Sequence, residues 1–218
     1  ATLARLLLLP DDDELALLYR KALYDFQNAN QADKAIEMGR KMIALDPNNP
    51  EALVMTATFL AERTRESDLD RDERLGEATR DATKALQTVD TDIMLPANMT
   101  EEQASGVKNQ MKGMAYAALG TAAIAKKDYA EAEKNLKQAS QLYAGDPLVW
   151  LRLAYALDQQ KKYAEGVTPA NNCIQYAADQ PQVANLCKTE RDRLVQLTKS
   201  PAAPAAPPCD SSSTTGIS

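Results

Sequence analysis

The sequence repeats itself after 34 residues. Residues 116–139 superpose on residues 150–173, and Pro147 is matched by Pro181 at the same distance. The shift aligns like residues with like: Tyr116 with Trp150, Leu119 with Leu153, Gly120 with Ala154, Tyr129 with Tyr163, Ala132 with Gly166 and Ala139 with Cys173. A fixed period of this length indicates an array of similar units, because each unit is one supersecondary motif that stacks on the next.

Each unit has the pattern of two helices joined by a short turn. In the first copy, apolar residues recur at three- and four-residue steps over residues 116–125, which is the period of one helix face. Residues 126–128 are a polar turn, and residues 130–143 are again helical in pattern. Small side chains at Gly120, Ala132 and Ala139 allow the two helices to approach closely. The remaining apolar face needs a neighbouring pair to cover it.

These residues resemble the tetratricopeptide repeat (TPR), a helix–turn–helix unit of 34 residues. A first unit closed by the turn "ALDPNNPEA" and a degenerate second unit precede the two copies described above. The units lie at about 16–49, 50–92, 101–146 and 147–180, and a polar capping helix follows at 181–199. The resemblance implies an all-α fold, a right-handed superhelical α-solenoid of about four TPR-like helix pairs plus a C-terminal capping helix.

The period is stretched around the second and third units. The excess residues lie in the charged stretch 62–78 and in the loop "DTDIMLPAN" at 90–98. Thr100 and Gln103 have the spacing of a capping box, in which a Thr and a Gln three residues later bond reciprocally to the backbone. We therefore expect the first helix of the third unit to begin at Thr100 and to be longer than its counterparts.

Composition divides the chain into three parts. Residues 1–14 are an N-terminal lead whose leucine run at 6–9 is too short to span a bilayer. Residues 15–199 form the helical repeat domain, with no integral membrane segment expected. Residues 200–218 contain four of the eleven prolines without apolar periodicity, which predicts a disordered tail or linker.

The residue inventory argues against several classes of function. The chain has no histidine, so it lacks the commonest general base and the commonest zinc ligand. Its acidic clusters at 11–13 and 68–72 lack the glycine and spacing of a calcium loop. A net charge of -6 and a pI near 4.9 argue against nucleic-acid binding. We predict a non-enzyme without cofactor, metal or nucleic-acid partner.

The resemblance implies that the first helix of each pair lines a concave groove where a protein or peptide partner binds. Matching the repeats gives the predicted groove residues, which combine aromatic, methionine and charged side chains suited to a peptide or helix. They are Arg20, Tyr24, Gln27, Met55, Thr58, Glu62, Met114, Ala117, Thr121, Leu151, Arg152, Tyr155 and Asp158.

Cys173 and Cys187 are candidates for a disulfide. Cys173 occupies the small-residue position of the last second helix, and Cys187 an apolar position of the capping helix beside it, so the two could come within bonding range. The alternative is that both are buried free thiols. A bridge would imply an oxidising compartment and leave Cys209 unpaired. Together with the Ala-Pro tail, the cysteine pair favours an exported or periplasmic protein over a cytoplasmic one.

The sequence therefore predicts a non-catalytic scaffold or adaptor that binds a partner peptide or helix in the groove. The alternatives are a receptor for a small apolar ligand, or an accessory subunit of an envelope assembly or secretion complex. A peptide groove should be open and mixed in polarity, whereas a small-ligand site should be a closed apolar pocket.

Overall fold

A computed structural model describes residues 12–199 of the chain. This part of the chain contains nine α-helices and no β-strand. They are α1 (Asp12–Asn28), α2 (Ala32–Leu45), α3 (Pro50–Arg63), α4 (Arg71–Thr88), α5 (Glu101–Ala125), α6 (Tyr129–Leu142), α7 (Pro147–Gln159), α8 (Tyr163–Tyr176) and α9 (Pro181–Lys199). Consecutive helices pack as four pairs, and α9 packs on the last pair. The predicted fold class, an all-α solenoid of four helix pairs and a final helix, is confirmed.

Local capping groups mark the starts of four helices, α3, α5, α6 and α7. The Asn49 side chain accepts a hydrogen bond from the backbone N–H of Ala52. Asp128 and Asp146 cap α6 and α7 in the same way. The predicted capping box at the start of α5 is confirmed, since the Thr100 and Gln103 side chains each bond to the other's backbone. These bonds satisfy helix N–H groups that have no intrahelical acceptor.

The turns inside three helix pairs share one backbone geometry. Asn30, Lys127 and Lys161 adopt positive φ angles of 55°, 62° and 61°. In each turn, the N–H of the next residue donates to the carbonyl five residues before it, as from Asp128 to Ala123. This is the closing bond of a Schellman motif, which ends a helix in a left-handed residue. Lys127 and Lys161 are separated by the repeat period itself.

Small residues set the distance between paired helices. Ala132 and Ala139 of α6 are fully buried. A Cβ atom added to Gly120 of α5 would lie 2.5 Å from Leu136 Cγ of α6. The same packing recurs where Gly166 of α8 meets Leu194 of α9. Glycine is required at 120 because any side chain there would overlap a buried leucine.

The N-terminal boundary differs from the prediction. Helix α1 already begins at Asp12, so residues 12–14 of the predicted lead belong to the first helix. All three are acidic, and negative charge in the first turn interacts favourably with the helix dipole. Residues 1–11 and the predicted tail at 200–218, including Cys209, lie outside the described residues. Between residues 12 and 199, no helix has the length and apolar character that a membrane span requires.

Candidate partner-binding groove

Several predicted groove residues line one small cavity between the first helices of three pairs. Thr58 lies on α3, Met114 and Thr121 on α5, and Arg152 on α7, and all four border this cavity, as do Glu62 and Ala117. Its volume is about 70 Å³. The Thr58 hydroxyl is buried there without a hydrogen-bond partner. We call the surface formed by Thr58, Glu62, Met114, Thr121 and Arg152 the first-helix groove.

An ion pair crosses the first-helix groove. Arg152 Nη2 donates to Glu62 Oε1 at 2.7 Å, joining α7 to α3 although the two residues are 90 positions apart. The side chains are 23% and 32% exposed, so the pair is neither buried nor fully solvated. A pair at this exposure contributes little to stability, about 0–1 kcal/mol. Its effect is geometric: it holds two non-consecutive repeats together across the groove.

The first pair of helices contributes a separate polar cluster. Glu51 Oε1 of α3 accepts hydrogen bonds from Arg20 Nε at 2.9 Å and from the Tyr24 hydroxyl at 2.6 Å. Burial raises the pKa of the Tyr24 hydroxyl to about 12, with a further contribution from its bond to the Glu51 carboxylate. Gln27 is exposed one turn further along α1. These α1 residues therefore lie beside α3 and do not border the groove cavity.

Three residues predicted to line the groove make intramolecular contacts instead. Met55 is 8% exposed and belongs to the hydrophobic core of the first three pairs. Leu151 packs against the cluster around Cys173 and Cys187. Asp158 is 3% exposed and pairs with Arg193 of the final helix. These contacts occupy the three side chains within the chain itself, and their contact with a partner stays a prediction.

Tyr155 keeps an accessible position on α7. Its side chain is 38% exposed and packs edge-to-face against Tyr129 of α6, with ring centroids 6.2 Å apart. Burial of the remainder and the neighbouring Tyr129 raise the pKa of its hydroxyl. Tyr155 therefore remains accessible to solvent on α7.

The structure joins Cys173 and Cys187 in a disulfide between α8 and α9. Their Cα atoms are 5.7 Å apart, and both residues are fully buried. Ala177, also fully buried, completes their cluster. The structure therefore does not contain two free buried thiols at these positions.

A charge network centred on the buried Glu133 was not predicted from the sequence. The Glu133 carboxylate of α6 accepts hydrogen bonds from Lys137 at 2.5 Å, Lys162 at 2.7 Å and Gln160 at 2.9 Å. Burial alone would raise its pKa, but these three bonds outweigh burial and lower the pKa of Glu133 to about 2. Only the spacing of Glu133 and Lys137 on one helix could have been read from the sequence.

Asp81 of α4 has the opposite environment. Burial, and secondarily the negative charge of Glu77, raises the pKa of the Asp81 carboxyl to about 6. Glu77 itself is engaged by Arg40 of α2 through two hydrogen bonds, at 2.7 and 2.5 Å. Of the two neighbouring carboxyl groups, Asp81 is therefore the one whose ionised form is disfavoured.

No metal centre is apparent in this part of the chain: among residues 12–199, no group of three or more His, Cys, Asp or Glu side chains is arranged to hold a metal ion.

Part of the chain matches a known family, and solved structures share its fold. Residues 123–188 match the family "Tetratricopeptide repeat". No curated protein sequence matches the chain. A solved MamA protein superposes with a TM-score of 0.53 at 17% identity, covering 86% of this chain and 90% of that chain. MamA from Desulfovibrio magneticus RS-1, residues 41 to the end, gives 0.50 at 15% identity, covering 87% and 92%.

Identity this low shows a shared fold and nothing about function. The fold is nevertheless shared over most of both chains, and the sequence match falls on the two most regular repeats, including the disulfide. Residues 123–188 therefore match the tetratricopeptide-repeat family, and the chain shares the fold of the two MamA structures over most of its length.

Proposed function

We propose that the chain is a non-catalytic scaffold that binds a partner peptide or helix in the first-helix groove. Proteins of this family commonly act as protein–protein interaction scaffolds and generally lack catalytic activity. The observation that carries the proposal is the convergence of Thr58, Met114, Thr121 and Arg152 on one cavity from three different repeats. A methionine beside hydroxyl groups and a guanidinium suits a mixed peptide surface.

The size of the groove cavity favours a peptide over a small apolar ligand. Sites that enclose a drug-sized molecule have volumes of roughly 300–1,000 Å³, whereas this cavity has about 70 Å³. It can accept one side chain of a partner lying across it. Its lining also includes the charged side chains of Glu62, Arg152 and Asp146. An apolar ligand would remove water from these charges without replacing its hydrogen bonds, which is unfavourable.

The disulfide supports a second proposal, which concerns where the scaffold acts. Disulfides persist in oxidising compartments and are rare in reducing ones. A bridge between α8 and α9 is consistent with an exported protein and with an accessory subunit of an envelope assembly or secretion complex. In such an assembly the groove would hold a segment of another subunit.

Site-specific photo-crosslinking tests the groove. A benzophenone amino acid replaces Thr121, which borders the groove cavity, and in the matched control replaces Gln138, an exposed residue of the second helix α6. After irradiation in the native host, we expect a discrete product from position 121 and none of the same mass from position 138.

A second variant removes two side chains that line the first-helix groove. We expect Met114→Ala combined with Arg152→Ala to reduce the yield of that product, because both side chains border the groove cavity, on α5 and α7. Equal yield from positions 121 and 138, or an unchanged yield in the double variant, would contradict a partner in the groove.

A further inference from the structure

A second cavity lies away from the first-helix groove, at the turn ends of the first two helix pairs. Its volume is about 550 Å³, within the range of small-molecule sites. It is bordered by the α1–α2 turn, the start of α2, the end of α3, the loop at 64–70 and the start of α4. None of the residues around it borders the groove cavity.

The lining of this turn-end cavity is basic in an acidic protein. Its charged side chains are four basic residues and two acidic ones, against a net charge of -6 for the whole chain. The basic residues are Lys34, Arg63, Arg65 and Arg74, and the acidic ones are Asp33 and Asp68. The lining of the cavity therefore has a net positive charge, whereas the net charge of the whole chain is negative.

Among the residues that the structure describes, two of the arginines have no carboxylate partner. Arg63 Nη2 donates to the neutral side-chain oxygen of Asn30 at 2.6 Å. Within residues 12–199, no acceptor contacts the Arg65 guanidinium; the nearby Asp68 carboxylate instead accepts from the Arg65 backbone N–H at 2.8 Å. Arg74, by contrast, pairs with Asp33 at 3.3 Å. The guanidinium groups of Arg63 and Arg65, which contact no carboxylate among the described residues, retain N–H donors that can bind an oxyanion bidentately.

Helix α2 adds backbone donors to the same cavity. Residues 31–34, its N-cap and first turn, border the cavity, and the N-cap Gln31 makes no side-chain capping bond. The first N–H groups of a helix have no intrahelical acceptor, and the helix dipole favours negative charge beside them. These donors and the arginine side chains line the same space.

We propose that the turn-end cavity binds a small soluble molecule that carries a multiply charged oxyanion of the phosphate class. Arg63 and Arg65 are the side chains that contact the oxyanion, and the first turn of α2 supplies backbone N–H donors. Arg74 positions the start of α2 through its pair with Asp33. This site is independent of the partner groove, so either proposal can fail without the other.

Titration of the isotopically labelled full chain with inorganic pyrophosphate, followed by backbone amide NMR, tests the site. Ionic strength is held constant with sodium chloride. We expect saturable shifts at residues 31–34 and 63–66 and little change at Thr121 in the groove. Absence of saturable shifts, or shifts spread evenly over the exposed lysines, would overturn the proposal.

Two charge-removing variants separate a site from general attraction to anions. Arg65→Ala removes an exposed side chain and should weaken pyrophosphate binding by about tenfold, the effect of one charge-assisted contact. Arg191→Ala removes one positive charge at the far end of the chain, on α9, where Arg191 pairs with its neighbour Asp192. Equal weakening in both variants would refute a localised site.

Phosphate groups also occur on lipid headgroups, so vesicles containing phosphatidic acid form the second arm. Vesicle binding without pyrophosphate binding would assign the basic patch to a membrane surface and overturn the proposal. Arg63→Lys keeps the charge while replacing the planar fork, and should weaken binding less than Arg65→Ala. Circular dichroism melts confirm that each variant remains folded.

Discussion

The disulfide between α8 and α9 allows the stability of the C-terminal end of the solenoid to be worked out from the structure. The perturbation is its removal, either by reduction of the wild-type chain or by the double substitution Cys173→Ala and Cys187→Ala. Both sulfurs are fully buried, so reduction retains their packing volume whereas the double substitution loses it. A Cys209→Ser background prevents exchange with the third cysteine.

The expected magnitude follows from the loop that the bridge closes. The two cysteines are separated by 14 residues, for which the chain-entropy relation gives a stabilisation of about 3 kcal/mol at 25 °C. For a domain of this size, a change of 1 kcal/mol shifts the melting temperature by about 2–4 °C. Reduction should therefore lower it by about 6–12 °C.

Thermal and urea unfolding, with and without a thiol reductant, measure this change. We expect the oxidised wild type to be most stable, the reduced wild type to be less stable, and the double alanine variant to be least stable because it also loses sulfur packing. The double variant should be insensitive to reductant. In a solenoid, most contacts join neighbouring units, so amide exchange should accelerate first in α9. Identical melting temperatures for oxidised and reduced wild type would refute the reasoning.

Three further predictions concern the charge networks and helix contact described above. Because the pKa of Glu133 is lowered in the folded state, the ionised carboxylate stabilises the fold above about pH 4.5, and this contribution is lost as the pH falls towards 2. Glu133→Gln should therefore have a lower melting temperature than wild type at pH 7, and the difference should disappear near pH 2. Because the pKa of Asp81 is raised, the folded state binds the extra proton and loses stability as the pH rises from about 4 to 6. Asp81→Asn should therefore melt above wild type at pH 8 and equal to it near pH 4, and the reverse order would contradict the assignment. Gly120→Ala should destabilise the chain by about 1–3 kcal/mol in urea unfolding, because its Cβ would overlap Leu136, whereas Gly106→Ala, with open space around it, should not.

The features that the sequence predicted correctly are those encoded locally. Helix starts depend on a side chain and a backbone N–H two or three residues away, as for Thr100 and Gln103. Close helix contacts depend on small residues at a fixed period, as for Gly120 and Ala132. Both patterns are visible in the amino-acid order because the atoms that interact are near in sequence or repeated at constant spacing.

The intramolecular contacts of the predicted groove residues could not be read from the sequence, because they join distant repeats. Asp158 was expected in the groove, but it pairs with Arg193, a residue of the final helix for which the 34-residue period has no counterpart. Leu151 is likewise held against the disulfide cluster, which depends on the position of α9. A repeat alignment assumes that every first helix has identical neighbours, and this assumption fails in the last repeat.

The Arg152–Glu62 pair shows how local composition and long-range geometry combine in the groove. The part of α5 that borders the cavity carries Gly113, Ala117 and other short side chains. Across this part of α5, the long side chains of Glu62 on α3 and Arg152 on α7 reach each other in a 2.7 Å contact. A partner that occupies this groove must either contact or displace the ion pair that spans it.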